Sequence, residues 1–299
     1  MIPGGLPKST SQHLLILILT LSGFSLSGQG YIDLLSVEYF EGLNRGNYDR
    51  YTSFNTTLQA PIPLPSKDVI LSGVILDGAD IRDLETEYNI RNVTFNAGFQ
   101  KQLKDDRSLL ILSINRFNSD QFSLDGNSYQ FGFVGLYTYK KTEKASFQLG
   151  FYTNREFLGQ VTTPLFGIDW KISPKIRFSG VLPAIANLAY RHHDKLVTGI
   201  HFMGIFQTYR QPELGNYYVQ RSVNQASLYG EYYFTKWLVM NLKVGYRVGS
   251  AYRLFREEDK IDWALNVIKF GDNREEISFL SSDQFIITVS LKFRLSLED

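Results

Sequence analysis

The chain reads as all-β: a single antiparallel transmembrane β-barrel of about fourteen strands. Three observations carry that reading. Residues 284–297 alternate in character, with Phe285, Ile287, Val289, Leu291, Phe293 and Leu295 on one parity. Gln284, Thr288, Ser290, Lys292 and Arg294 fall on the other, with Ile286 the single apolar intruder. Successive side chains of a strand point to opposite faces, and the segment is long enough to cross a bilayer when tilted, which takes about 9–11 residues. Second, 18 Tyr and 22 Phe bring the aromatic content to 14%, as suits a barrel with interfacial aromatic girdles. Beyond the N-terminal segment there is no run of about 18 apolar residues such as a membrane helix needs. Third, mostly longer connections alternate with mostly shorter ones, as in outer-membrane barrels with long outside loops and short periplasmic turns.

Taken in order, residues 1–28 read as a secretory signal. Lys8 supplies a weak basic start, HLLILILTL (13–21) an apolar core, and Ser25-Leu26-Ser27 a small-x-small cleavage site. Residues 29–299 are then the barrel. Strands are expected at 31–39, 51–60 and 69–77. The prolines Pro61, Pro63 and Pro65 lack ladder donors and so read as a connection. Further strands begin at Val93 and span 109–117, 129–139 and 145–153. Four more follow, one built on Phe166, Ile168, Trp170 and Ile172, one from Ile176, then 185–191 and 196–209. The last are 226–234, 238–252 and the final strand, which is expected to pair with the first, because an open edge is untenable in lipid. Merging at Pro183 would lower the count to about twelve. Longer connections are expected around Glu41, Gly78, Ser119, Glu156, Gln211 and Glu257. Within 259–270, Ile261, Ala264, Leu265 and Ile268 share one helical face, which predicts a short amphipathic helix in the last long loop.

Composition narrows the chemistry. With 31 basic and 30 acidic residues the net charge is +1, which offers no footprint for nucleic acid. Without cysteine there is no thiolate metal site and no cysteine nucleophile. No Gly-x-Ser-x-Gly elbow occurs. His201 lies between outward-parity Ile200 and Phe202 and should face the lumen, away from lipid. His192-His193-Asp194 converges poorly for a metal and reads as a hairpin turn. Asp77-Gly78 and Asp125-Gly126 read as turns and lack the acidic spacing of a calcium loop. No enzyme activity, cofactor or metal is expected.

The candidate site is a basic strip. Lys243, Arg247, Lys292 and Arg294 occupy the non-lipid parity of the last strands, and rows of Lys and Arg inside a pore favour anions. The competing reading is a structural ladder neutralised by inward acids such as Glu231, since unpaired charge in a narrow lumen is costly.

Several stretches resemble uncharacterised outer-membrane β-barrels of the Bacteroidetes. They are Tyr31-Ile32-Asp33-Leu34-Leu35-Ser36-Val37-Glu38-Tyr39, and Ala60-Pro61-Ile62-Pro63-Leu64 leading to Asp68-Val69-Ile70-Leu71-Ser72-Gly73. Gly167-Ile168-Asp169-Trp170, Ser173-Pro174-Lys175 and Gly180-Val181-Leu182-Pro183 complete the set. The secretion-associated PorP/SprF-like barrels are similar in size, but their Asn-Pro-Ala-Tyr-like start is absent. The resemblance implies an outer-membrane barrel and brings no catalytic residues.

The expected location is the outer membrane of a Gram-negative bacterium. The expected partners are lipid, the assembly machinery that recognises the C-terminal strand, and a small solute. The leading role is a passive, porin-like channel. A structural or secretion-associated barrel with partner-binding loops stands beside it, and a soluble periplasmic β-protein is the third reading.

Overall fold

A computed structural model describes residues 31–43, 50–82 and 87–296, so the 1–28 segment read as a signal lies outside the described residues. The strands are β1 (Tyr31–Leu43), β2 (Arg50–Pro63), β3 (Val69–Arg82), β4 (Glu87–Lys104), β5 (Arg107–Ser119), β6 (Tyr129–Thr142), β7 (Ala145–Glu156), β8 (Gly159–Lys171) and β9 (Ile176–Leu182). They continue as β10 (Ile185–His193), β11 (Leu196–Arg210), β12 (Tyr217–Tyr233), β13 (Leu238–Arg247), β14 (Ala251–Arg256), β15 (Trp263–Leu265), β16 (Ile268–Phe270), β17 (Ser278–Ser281) and β18 (Phe285–Ser296). β1 to β13 pair successively, β13 pairs with β18, and β18 returns to β1, giving a closed antiparallel barrel of 14 staves. The turn at Pro183 separates two real strands.

The closing seam depends on a β-bulge. Tyr39 pairs with Val289 and Val37 with Leu291, but the register shifts between Asp33 and Leu35, so that Asp33 lies opposite Arg294. Side-chain direction has period two, so an extra residue flips everything beyond it. The shift brings Asp33 to the inner face, whereas unbroken alternation would align it with outward Leu35 and Val37.

The outer surface is apolar. On β18, Phe285, Val289, Leu291, Phe293 and Leu295 are exposed while Thr288, Ser290, Lys292 and Arg294 are buried inside. Tyr139, Trp170, Tyr190, Tyr232 and Trp237 ring the short-turn end. At the loop end outer-face rings pair, Phe117 on Tyr129 at 5.3 Å and Tyr246 on Phe285 at 4.9 Å. The aromatic belts thus form at both levels, as a bilayer's two interfaces require.

Several expectations change. Asp77-Gly78 is no turn and opens no long connection: both residues lie within β3, where Gly78 pairs with Phe54 and Arg91. The strand expected at 238–252 ends at Arg247, and Ala251 begins β14. Pro61 and Pro63 lie within β2, past Leu58, the last residue that β1 pairs, so they leave no gap in the β1–β2 ladder. The connection at Glu156 is short, Phe157 and Leu158 alone, because β8 starts at Gly159 and contains Pro164. Pro164 sits above Phe166, where pairing with β9 begins, and so on a stretch without β9 partners. Finally, residues 259–270 form no helix. They form the β15–β16 hairpin, with Trp263 opposite Phe270 and Leu265 opposite Ile268.

The hairpin has a physical cause in the short β9–β10 pair. β8 has no β9 partner above Phe166, and β11 has no β10 partner above Met203. β15 lies parallel along the vacated edge of β8, Trp263 beside Gln160 and Leu265 beside Thr162. Ile261 and Ala264 do share a buried face, against Leu158 and Val161, but Ile268 is exposed. An unsatisfied strand edge outweighed a weak helical periodicity.

The second consequence is a lobe inside the barrel. At the loop end β11 and β12 stop alternating: Gln207, Thr208 and Tyr209 are all buried, as are Tyr218, Val219, Gln220 and Arg221. β12 there pairs with β14, and β14 with β17. One face of this four-stranded lobe packs Tyr209, Val219, Tyr252 and Leu254 against Tyr51, Ile81 and Ile90 of the β2–β4 wall. The other packs Tyr218 and Phe255 against Leu158, Val161 and Ile261. A crease separates lobe from wall. It runs through Asn224, the 248–250 break between β13 and β14, and the 282–284 break between β17 and β18, tied by Val248 N–H to Asn224 O (3.0 Å) and Ser250 N–H to Asp283 Oδ1 (2.7 Å). Gly249 at φ +61° supplies the left-handed turn that the break needs.

The lipid-facing assignment is directly testable. Leu291→Arg, near the middle of β18, should cost about 2–4 kcal/mol of membrane stability, measured by urea titration of refolding into bilayers. A cost near zero would mean that this face does not meet lipid.

Candidate functional site

All four residues of the expected basic strip lie on the inner face, but they do not form one strip. Lys292 and Arg294 are brought together with Glu231 of β12 and Asp33 of β1. Arg294 Nε donates to Asp33 Oδ1 at 2.6 Å and its Nη1 to Glu231 Oε2 at 2.8 Å. Lys292 Nζ lies 3.2 Å from Glu231 and 3.7 Å from Asp33. Two cations and two carboxylates close a neutral quartet, and Arg294 stacks on Tyr31 with its guanidinium carbon 3.5 Å from the ring centroid. Lys243 sits apart, paired with Glu38 at 3.1 Å. Arg247 lies above them, wholly buried, 4.0 Å over the Tyr51 ring with Nε on Gln225 Oε1. Among the described residues no carboxylate pairs with it, and its two terminal nitrogens have no hydrogen-bond partner.

The acids Asp33 and Glu38 escaped the sequence reading, although a signal existed. Laying β1 antiparallel on β18 places Asp33 opposite Arg294.

A second constellation holds the lobe. Glu156, at the loop end of β7, is buried with Arg116 of β5 at 3.2 Å. Its Oε2 accepts the backbone N–H of Thr208 at 2.9 Å and the Thr208 hydroxyl at 2.7 Å. Thr208 Oγ1 in turn accepts from Gln130 Nε2 and from the Phe157 N–H, both at 2.9 Å, and Thr208 O accepts from Asn118 Nδ2, also at 2.9 Å. One threonine on a strand of the far wall is thus fully satisfied by polar groups of β5, β6, β7 and the β7–β8 turn. Two ties flank it, Gln211 Nε2 to Asn89 O at 3.1 Å and Glu213 N–H to Asp120 Oδ2 at 3.0 Å. The lumen is therefore crossed at its loop end.

The last loop clamps the lobe from outside. Arg274 stacks 4.1 Å over Phe255 and donates to the Tyr218 hydroxyl at 3.0 Å. Its hydrogen bonds to Asp272 hold that carboxyl down at about 2. A depressed carboxylate stabilises above its unfolded range and loses that contribution as pH falls, so this clamp persists through neutral and mildly acid pH.

The described histidines are His192, His193 and His201. His201 is on the inner face opposite Ser227. His192 lies edge-on to Tyr190 and contacts the Thr198 hydroxyl at 2.8 Å, and the His193 ring accepts from the Lys195 N–H in the turn. Among the described residues no group of three or more His, Asp or Glu could hold a metal ion.

No protein-family model and no curated protein matches the chain. Solved structures similar to it include the NanC porin, 9% identical over 87% of this chain and 100% of that one, with a TM-score of 0.39. The toluene transporter TodX of Pseudomonas putida is 11% identical over 94% of this chain and 93% of its own, with a TM-score of 0.37. A mutant of the Rh. blastica porin is 6% identical over 89% and 100%, with a TM-score of 0.32.

The quartet should behave as one unit. Glu231→Gln leaves Arg294 and Lys292 with one carboxylate between them, and removing one partner of a buried ion pair costs about 3–5 kcal/mol. Urea unfolding in detergent should register that loss, and Glu231→Gln combined with Lys292→Met should recover part of it. Equal stability of Glu231→Gln and wild type would rule out a buried network.

Proposed function

We propose that the protein is an outer-membrane channel for small solutes whose loop end is gated by the inward lobe. The carrying observation is the way in which the lumen is crossed. The crossing rests on a compact set of polar bonds centred on Thr208 and Glu156, and a crease at Asn224, Gly249 and Asp283 joins the lobe to the wall. A hydrogen-bonded latch beside a hinge line has two arrangements within reach, closed as here and lobe-raised.

Barrel size supports the reading. Eight strands enclose only enough space for side chains to fill, so a 14-stave wall would leave a passage with the lobe withdrawn. An apolar belt with two aromatic levels, short turns at one end and an even stave number suit the outer membrane. Its last strand, β18, is then the segment that the outer-membrane assembly machinery engages. The likeness of 31–39 and 60–73 to Bacteroidetes barrels belongs to the same proposal.

The test is planar-bilayer conductance of the refolded protein with Thr208→Val and Glu156→Gln variants. Losing hydrogen bonds to a charged group, each worth about 1.5–3 kcal/mol, should raise the open-to-closed ratio roughly tenfold or more. Wild type should show rare openings and the variants frequent ones. Folded, inserted variants that stay silent would overturn the channel reading in favour of a structural barrel.

A further inference from the structure

The turn end of the lumen holds a cavity of about 240 Å³, and its walls are basic. Lys171 ends β8, Lys175 sits in the β8–β9 turn, Arg177 starts β9 and Arg191 lies near the end of β10. Each lines the cavity, together with Tyr31 and Tyr233. The backbone fixes the grouping: Lys171 lies opposite Arg177, Arg177 opposite Ala189, and the Arg191 N–H donates to Lys175 O at 2.8 Å. Lipid-side positions between them, such as Phe178 and Tyr190, have the other parity, so the cations converge on the lumen.

Like charges directly opposite in a ladder are destabilising, yet Lys171 faces Arg177. Asp169 takes Arg177 in a two-pronged contact at 2.7 and 2.6 Å. The carboxylate in the cavity wall, Glu231, is already held by Arg294 and Lys292 within the neutral quartet. Among the described residues Lys175 and Arg191 have no acidic partner. Elsewhere in the lumen the chain neutralises its inward cations, as it does for Lys243, Lys292 and Arg294. Here Lys175 and Arg191 line open space instead.

We infer that this cavity is a binding site for a small oxyanion, a phosphate or carboxylate group, with Lys175 and Arg191 as its principal cationic donors. Arg presents a planar fork that matches such a group, and Lys adds a mobile point charge. The volume, below that of drug-sized pockets of about 300–1,000 Å³, fits an anion or a compact anionic head. The quartet beneath contributes by exclusion, because it keeps Glu231 from folding onto the site as an internal counter-ion. Binding here does not depend on whether the lumen conducts.

The oxyanion could be free in solution or belong to an anionic lipid, and the experiment separates the two. Calorimetric titration of inorganic phosphate into the protein in a neutral detergent reports the first. Titration of phosphate into the protein in phosphatidylcholine discs, with and without phosphatidylglycerol, reports competition from the second. Saturable phosphate binding is expected, weakening with salt. Arg191→Gln and Lys175→Gln should each weaken it by roughly tenfold or more. Both positions are exposed, and a gel-shift of the unheated barrel checks that the variants are folded. No saturable phosphate binding, or binding unchanged in the folded double variant, would overturn the assignment. Phosphate binding in detergent that is abolished by phosphatidylglycerol would keep the site and assign it to a lipid head.

Discussion

In hydrocarbon a strand has nowhere to leave an unpaired edge, and that constraint organises the whole molecule. It forces β18 onto β1 across almost the full length of the described chain. Once those strands meet, parity decides what each residue sees. The bulge at Asp33–Leu35 reconciles two demands that strict alternation could not meet together, Leu35 and Val37 toward lipid and Asp33 toward Arg294. The quartet is thus a by-product of closing the sheet, and it makes the closure register-specific. A slip of one residue would carry Asp33 to the lipid side and strand Arg294 in the interior.

The same constraint explains the lobe. β9 and β10 end halfway up the wall, at Leu182 and Ile185, and expose the upper edges of β8 and β11. The chain satisfies each differently. β8 acquires β15, delivered by the last long loop. β11 leaves the wall instead, carrying β12, β14 and β17 with it, and finds its polar partners on the far side of the lumen. The Thr208–Glu156 contact is therefore the far end of a wall defect that begins at a two-residue turn. The crossing of the lumen thus traces to the shortness of one hairpin.

What the sequence could reveal follows from how far each signal reaches. Parity is local, so the inward placement of Lys243, Arg247, Lys292 and Arg294 and the stave count were legible. Pairing is not local. Arg294 and Asp33 are 261 residues apart and Lys243 and Glu38 205, and only the closure register connects them. The helix at 259–270 failed because Ile261, Ala264, Leu265 and Ile268 satisfy a 3.6 period by coincidence, while the edge that recruits the segment belongs to β8. The lobe did leave a trace. Thr208, Arg210, Gln220 and Ser222 are polar at positions where lipid-facing parity calls for apolar residues, the mark of a strand that has left the wall.

The distribution of charge along the lumen then separates two controls. A strand of about a dozen residues is roughly 40 Å long, and solvent-exposed charges are screened over about 8 Å at physiological salt. The cations at the turn end cannot act on the Glu156 latch through the field. The buried quartet between them is neutral and transmits no net charge in either direction. In the proposed channel the turn-end cluster would set the local concentration and orientation of an anion at that mouth, while the Thr208–Glu156 contact would govern whether the other mouth is crossed. Arg247 stands between the two without a carboxylate, under the lobe and against Tyr51. Raising the lobe would uncover the one inward cation of the expected strip that the closed barrel leaves uncompensated, and the free energy of burying that charge works against the closed state.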